Sequence, residues 1–338
     1  MMNTNIKSRM LIPIVHSFDN NYSLPDAVSF FSMMYYANKN YDYRLYILHT
    51  DITVENQKKL ADVISNFPNA SIKFYSMNNK LQDIWENISI KGHYSKEMLY
   101  KLLLPSLFLK YDKVIMTDVD VVFQSDISES FFAINTNTST ELIAGVKPVG
   151  KILHVYDAYK LDFSKIEITK LSSICGGYLV LNLKQLRIKN IEQLFIKTLK
   201  EKSKYLRQAE QDIINLVCYP HFKYLPLKYC LCTYTYELYK DDSDFVFNDN
   251  YSKEEIKEAM NSPCQIHYAA FMKPWTHPWM TKADVFFKFL VKTPYLQDYL
   301  LRLKPMNTTI RKNIFNLVLP YSKNKKLSFE LNKYKLNQ

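Results

Sequence analysis

Four short runs rich in β-branched and aromatic residues punctuate the first third of the chain: "MLIPIV" (10–15), "YRLYILH" (43–49), "SIKFYS" (71–76) and "KVIMTD" (113–118). Helix-length stretches separate them, and nothing else in the sequence limits the fold as strongly. Strand-length runs that alternate with crossover segments predict βαβα units, and therefore an α/β domain with a mostly parallel sheet covered by helices on both faces. A first crossover helix is expected to start after Ser23-Leu24-Pro25, and Thr53 is placed to cap a second that runs to Ile64. A third helix is expected over 95–109, with Met98, Leu102, Leu103 and Leu107 near one face. A strand in "YLVLNL" (178–183) and helices near 184–200 and 208–218 follow.

Sheets of this kind do their chemistry in the crevice beyond the carboxyl ends of the strands. There the chain places "VIMTDVDVVF" (114–123), read as one buried strand carrying Asp118 and Asp120. In extended backbone residues i and i+2 share a face, so the two carboxylates lie together and Val119 points away. Like charges held that close repel, and one takes up a proton unless a cation lies between them. The pair predicts a bound cation.

Composition excludes several other classes. With 47% apolar and 23% charged residues the chain is an ordinary folded protein, and no apolar run approaches the ~20 residues of a membrane span. "RMLIPIVHSF" is too brief, and too soon followed by Asp19, for a signal peptide; it reads as the first strand of a cytoplasmic protein. Five glycines provide no G-x-G-x-x-G and no P-loop, so a bound diphosphate must be met by a metal and cationic side chains. Five scattered cysteines suggest neither a disulfide frame nor a zinc site, and Cys230-x-Cys232 reads as two buried small side chains. The net charge is +11, but from Arg302 onward nine basic residues face one acid, Glu330, which leaves only +3 for the rest. The body is therefore no nucleic-acid binder, and the basicity belongs to the tail.

"IHYAAFMKPW" (266–275) combines with the D-x-D to resemble glycosyltransferase family 8, the retaining galactosyl- and glucosyltransferases related to bacterial lipopolysaccharide enzymes and glycogenin. The resemblance spans roughly residues 10 to 290. It implies a GT-A-type nucleotide-diphospho-sugar transferase fold over 1–290; the residues beyond, 291–338, read from their charge and apolar spacing as a basic helical tail. It further implies that Asp118, Asp120 and His267 hold Mn²⁺, with Mg²⁺ able to substitute, and that Lys273 reaches the donor diphosphate. Two carboxylates and an imidazole form a hard O/N set suited to that ion. "SFDNNY" (17–22) resembles the family's uridine-binding D-x-N-Y, which assigns Ser17, Asp19, Asn21 and Tyr22 to the nucleotide, with Tyr22 stacked on the base.

"AEQDIINL" (209–216) resembles the family's D-Q-D-I-L-N, which places Glu210 on donor-sugar hydroxyls and Gln211 at the anomeric carbon. A glutamine amide is a poor nucleophile, so front-face attack with Gln211 stabilising charge is the expected mechanism. "CGGYLVLNLKQLR" (175–187) resembles the family's N-S/A-G-V-L-L-I-N-L-K, with Cys175 in place of the sugar-contacting Asn, followed by Gly176. Lys101 stands where the family has Arg, and Ala270 where it has Gly; Asp118, Val119, Lys101 and Ala270 complete the expected donor site. The implied partners are UDP-glucose or UDP-galactose and a glycan or lipid-linked oligosaccharide. The tail, whose Ile310, Ile314, Leu317 and Val318 gather on one side among Arg311, Lys312 and other cations, suggests docking on the inner, anionic face of the cytoplasmic membrane. Two rival readings stand beside this one. An apolar strand followed by D-x-D-x-V also resembles haloacid-dehalogenase-like phosphatases, and a UDP-sugar-binding protein without transferase activity would use the same motifs.

Overall fold

The computed structural model describes residues 9–78, 80–87, 95–149, 173–206, 208–239 and 250–302. Of the tail expected over 291–338, residues 303–338 lie outside them. β1 (Met10–Ser17), β2 (Tyr41–His49) and β3 (Ala70–Ser76) form where the apolar runs placed them, joined by helices Ser23–Tyr36 and Val54–Ile64. Thr53 caps the second helix, its hydroxyl accepting the Asn56 N–H. With β4 (Val114–Thr117), β6 (Ile143–Val146), β7 (Tyr178–Leu181) and β8 (Phe222–Leu225) they make a seven-stranded sheet in the order β3-β2-β1-β4-β7-β6-β8. All its pairings are parallel except the two that β7 makes with β4 and β6. Central strands of such sheets are covered on both faces, which is why β1 buries Ile12, Ile14 and Val15 completely. Each such side chain contributes about 1.5–3 kcal/mol on burial.

A second sheet of three strands sits at the site. β5 (Val121–Phe123) pairs antiparallel with β10 (Gln265–His267), which pairs parallel with β9 (Leu231–Cys232). The single strand expected over 114–123 is thus two strands in two different sheets, with Asp118 to Asp120 in the turn between them. The chain leaves the large sheet where it becomes charged. The Asp118 N–H still donates to Gly177 O (3.2 Å), but the carboxylates are aimed by the turn and not by a pleat.

Two helices also differ from expectation. Residues 96–103 form a 3₁₀ helix that continues into one α turn, Leu104–Leu107. Its period of three stacks Lys101 above Leu104, so Lys101 turns inward while Leu103 and Leu107 are only half-buried. The helix near 184–200 is broken in two, because Asn190 takes a left-handed backbone (φ 52°) between Leu183–Ile188 and Ile191–Lys202. At the far end, helix Tyr295–Arg302 buries Tyr295, Leu296, Tyr299 and Leu300, and Asp298 pairs with Lys59 at 2.8 Å. The packed body therefore continues past residue 290 to at least 302.

Candidate active site

The carboxyl ends of β1 and β4 open on one side of the sheet, and the loop after β1 brings up the residues expected to meet a nucleotide. Asp19 caps the 3₁₀ turn Asn20–Tyr22, its Oδ1 accepting the Asn21 N–H at 2.9 Å. Burial raises the Asp19 pKa against that hydrogen bond. Ser17 instead donates inward to Glu97 O at 2.6 Å. Tyr22 stands edge-on to Trp275 (5.9 Å between ring centroids), which ties this loop to the K-P-W segment. Burial first, then the nearby Asp120, pushes the Tyr22 phenol up to about 12, so it stays a neutral donor.

Between the two sheets, Asp118, Asp120 and His267 present ligand atoms that all lie within 4.8 Å of one another. His267 Nε2 is 3.6 Å from Asp118 Oδ2 and 3.3 Å from Asp120 Oδ1. An octahedral ion with bonds near 2.1 Å needs ligand edges of roughly 3 Å, so the group fits a small hard cation after slight contraction. The β5–β10 ladder creates this geometry by pairing His267 with Val121, and Tyr268 N–H donates to Asp120 O at 2.9 Å. Lys273 donates to Asp120 Oδ2 (2.5 Å) and to Tyr268 O (2.7 Å). Burial alone would raise the Asp120 pKa, but Lys273 and His267 outweigh it and hold the carboxylate ionised. Val119 turns its side chain into the core, leaving only its backbone at the site.

Behind the D-x-D, Lys101 is almost fully buried and bridges two carboxylates, Asp118 Oδ1 at 2.6 Å and Glu210 Oε1 at 2.7 Å. It also donates to Gly176 O at 3.2 Å. Burial works to lower its pKa, but the two carboxylates prevail and keep the ammonium charged. Burial raises the Glu210 pKa, and its second oxygen, Oε2, has no hydrogen-bond partner among the described residues. A buried acceptor left open beside a crevice is suited to a ligand hydroxyl. Gln211 accepts the Gly176 N–H through Oε1 at 2.6 Å and donates to Gln208, so both ends of its amide are engaged. Cys175 is half-exposed at the mouth of this layer. Ala270 has φ +67°, the left-handed region in which the glycine expected there would be unstrained. The alanine Cβ therefore carries strain that a glycine would not.

The cysteines depart from their sequence reading. Cys230 and Cys232 are buried as expected, but both thiols face His267 Nδ1, at 3.8 and 3.9 Å. The pairing of His267 with Cys232 in the β9–β10 ladder is set by strand register, which no local pattern announces. Gly177 makes room for the ring: a Cβ there would lie 2.6 Å from His267 Nδ1 and 3.2 Å from Cys230 Sγ. A further group that the sequence did not single out is the network of Glu97, Thr50 and Tyr100, which props the Ser17 loop from below.

Residues 13–278 match the model of glycosyl transferase family 8. General stress protein A of Bacillus subtilis (strain 168) is 21% identical over 293 residues, covering 84% of this chain and 95% of that protein. Lipopolysaccharide 1,2-glucosyltransferase of Escherichia coli is 22% identical over 280 residues, 79% of this chain and 73% of that one. Among solved structures, the WbbM bifunctional glycosyltransferase superposes with a TM-score of 0.70 at 24% identity over 89% of this chain, which spans about half (53%) of that protein. The galactosyltransferase LgtC, solved with donor and acceptor sugar analogues, gives 0.62 at 17% identity over 89% of this chain and 100% of that one. These neighbours share the GT-A-type arrangement of a mostly parallel sheet with flanking helices. With nearly four fifths of its length and all of its D-x-D to K-P-W segment inside the matched region, the chain belongs to glycosyl transferase family 8.

Proposed function

We propose that the protein transfers galactose or glucose from a UDP-sugar to a hydroxyl of an oligosaccharide acceptor, with retention of the anomeric configuration, in lipopolysaccharide or lipooligosaccharide synthesis. The observation that carries this reading is the convergence of Asp118, Asp120 and His267 at the carboxyl edge of the parallel strands. The similarity to a lipopolysaccharide glucosyltransferase supports the acceptor class. Asp118, Asp120 and His267 would hold Mn²⁺, which when bound supplies positive charge to the leaving diphosphate.

The chain's own residues do the rest. Tyr22 and Asp19 hold the uridine end; a base stacked on the Tyr22 ring contributes roughly 1–3 kcal/mol. Lys273, now paired with Asp120, is close enough to turn to a phosphate oxygen when one arrives. Glu210 Oε2 accepts a sugar hydroxyl, and Lys101 keeps that carboxylate charged and fixed. The acceptor oxygen attacks the anomeric carbon from the face the diphosphate is leaving. Its proton passes to the departing phosphate oxygen, and the bond to UDP breaks. Gln211, locked by Gly176, presents its amide dipole to the oxocarbenium-like state. The phosphatase reading loses its ground, since Asp118 is tied to buried Lys101 and its motif follows the fourth strand of the chain.

Incubation with Mn²⁺ and a panel of UDP-sugars, following UDP release and then the anomeric coupling of the product, tests this directly. Asp120→Asn should lose activity by several orders of magnitude with the fold intact. Undiminished turnover in excess chelator, or a β-linked product from an α-linked donor, would refute the reading. Tight UDP binding without turnover on any glycan would favour a binding protein. The basic segment beyond residue 302 is proposed to dock the enzyme on anionic membrane. Sedimentation with anionic but not neutral vesicles, lost on removing residues 305–338, is the expected result.

A further inference from the structure

The imidazole of His267 has two nitrogens in two chemically opposite surroundings. Nε2 faces oxygen ligands, Asp118 and Asp120. Nδ1 faces sulfur, Cys230 and Cys232, and these three ligand atoms also lie within 4.8 Å of one another. The three side chains are buried. A tetrahedral zinc ion with bonds of about 2.3 Å to sulfur and about 2.0 Å to nitrogen sets its N···S edges at about 3.6 Å. The observed edges are 3.8 and 3.9 Å, within a few tenths of an ångström of that figure. Strand pairing holds Cys232 beside His267, and Gly177 provides the clearance that lets Cys230 and the ring approach.

We propose that Cys230, Cys232 and His267 Nδ1 form a second metal site, selective for a thiophilic cation such as Zn²⁺, whose occupancy prevents His267 from serving the Asp118–Asp120 group. The exclusion follows from counting protons. A neutral imidazole has one lone pair and one N–H. If the Nδ1 lone pair goes to a soft ion, the proton sits on Nε2, which becomes a donor to Asp120 and can no longer ligate. The two thiols release their protons to solvent as they bind. The two sites therefore compete through a single tautomer, and a soft metal acts as an inhibitor of the hard one. The exclusion half rests on the reading of Asp118, Asp120 and His267 as the Mn²⁺ group; the thiolate half does not.

The test uses the full-length protein, reduced and freed of metal, titrated with Co²⁺ as a spectroscopic substitute for Zn²⁺. A thiolate-to-cobalt charge-transfer band saturating at one equivalent and bleached by Zn²⁺ is expected. Cys230→Ser and Cys232→Ser should each weaken binding by about tenfold or more, whereas Cys218→Ser, buried elsewhere, should leave it unchanged. Mn²⁺ binding, followed by the paramagnetic resonance of the free ion, should weaken by about tenfold or more when one equivalent of Zn²⁺ is present. Should the serine variants fail to fold, the wild-type band decides: its absence at stoichiometric Co²⁺ overturns the site. A band with Mn²⁺ affinity untouched by Zn²⁺ overturns the exclusion. A band in a protein that never binds Mn²⁺ upholds the soft site and refutes the Mn²⁺ reading instead.

Discussion

Replacing Gly177 by alanine puts the geometry of the site to a severe test. The glycine's φ lies outside the left-handed region, so the backbone itself would tolerate an alanine and only space is at issue. The added methyl would lie 2.6 Å from His267 Nδ1 and 2.7 Å from its Cε1, where an ordinary contact begins at 3.4 Å. The ring, wedged against the two thiols behind it, must move by about 0.8 Å or rotate. Overpacking of this kind costs about 1–3 kcal/mol of stability. For chemistry the cost is larger, since a misplacement of about 1 Å in a positioned group lowers rates on the order of 10²-fold. Gly177→Ala should therefore bind Mn²⁺ about 10–100-fold more weakly, read by paramagnetic resonance, with UDP-sugar turnover falling in proportion. Gly176→Ala is the comparison: its nearest neighbours are Gln211 side-chain atoms at 3.2 and 3.3 Å, so Mn²⁺ affinity should stay close to wild type. A folded Gly177→Ala protein with wild-type Mn²⁺ affinity would show that His267 is not held where the ligand set requires it.

Lys101→Met should destabilise the fold by about 3–5 kcal/mol in urea unfolding, because it strands Glu210 without a counter-ion, and adding Glu210→Gln should recover most of the loss. A double variant no more stable than the single one would show that the ammonium is held by something else. Ala270→Gly should stabilise by on the order of 1 kcal/mol by relieving the positive φ, and a lower melting temperature would contradict that. Asp26, buried against His16 at 2.5 Å, has its pKa raised by desolvation to about 6 despite the histidine. Between its unfolded value near 4 and that figure the native state binds the extra proton, so this contribution to stability is full at lower pH and lost as pH rises through about 6. Asp26→Asn should remove that slope from urea denaturation measured across the interval, and an unchanged slope would refute the assignment.

The legible parts of the sequence were those with a local physical signature. β1 and β2 announce themselves because burial on both faces demands unbroken apolar runs, and Thr53 because an N-cap needs an acceptor at one fixed place. The D-x-D and the K-P-W segment stand out as motifs, and the structure does bring Asp118, Asp120 and His267 together. What escaped depends on distant partners or on backbone angle. The break between β4 and β5 reflects two sheets competing for one run, which alternation alone cannot reveal. The Lys101–Glu210 pair joins residues 109 positions apart, and the thiols meet His267 only through the register of a two-residue strand. The positive φ of Ala270 has no trace in composition, and only the resemblance to a glycine marked the position.

The three-stranded sheet has a consequence for how the protein comes into being. Val121 and its ladder partner His267 are nearly 150 residues apart, so the pairing carries a large loop-closure cost and waits for most of the chain. On the ribosome, β1 to β4 and their crossover helices can condense long before β10 has been synthesised. The loop that would greet the nucleotide is thus an early product of synthesis, whereas the group that would grip a cation is finished among the last. A nascent or truncated chain is expected to be a nearly complete scaffold without metal-dependent activity, so the cell would not meet a half-made enzyme already consuming its donor.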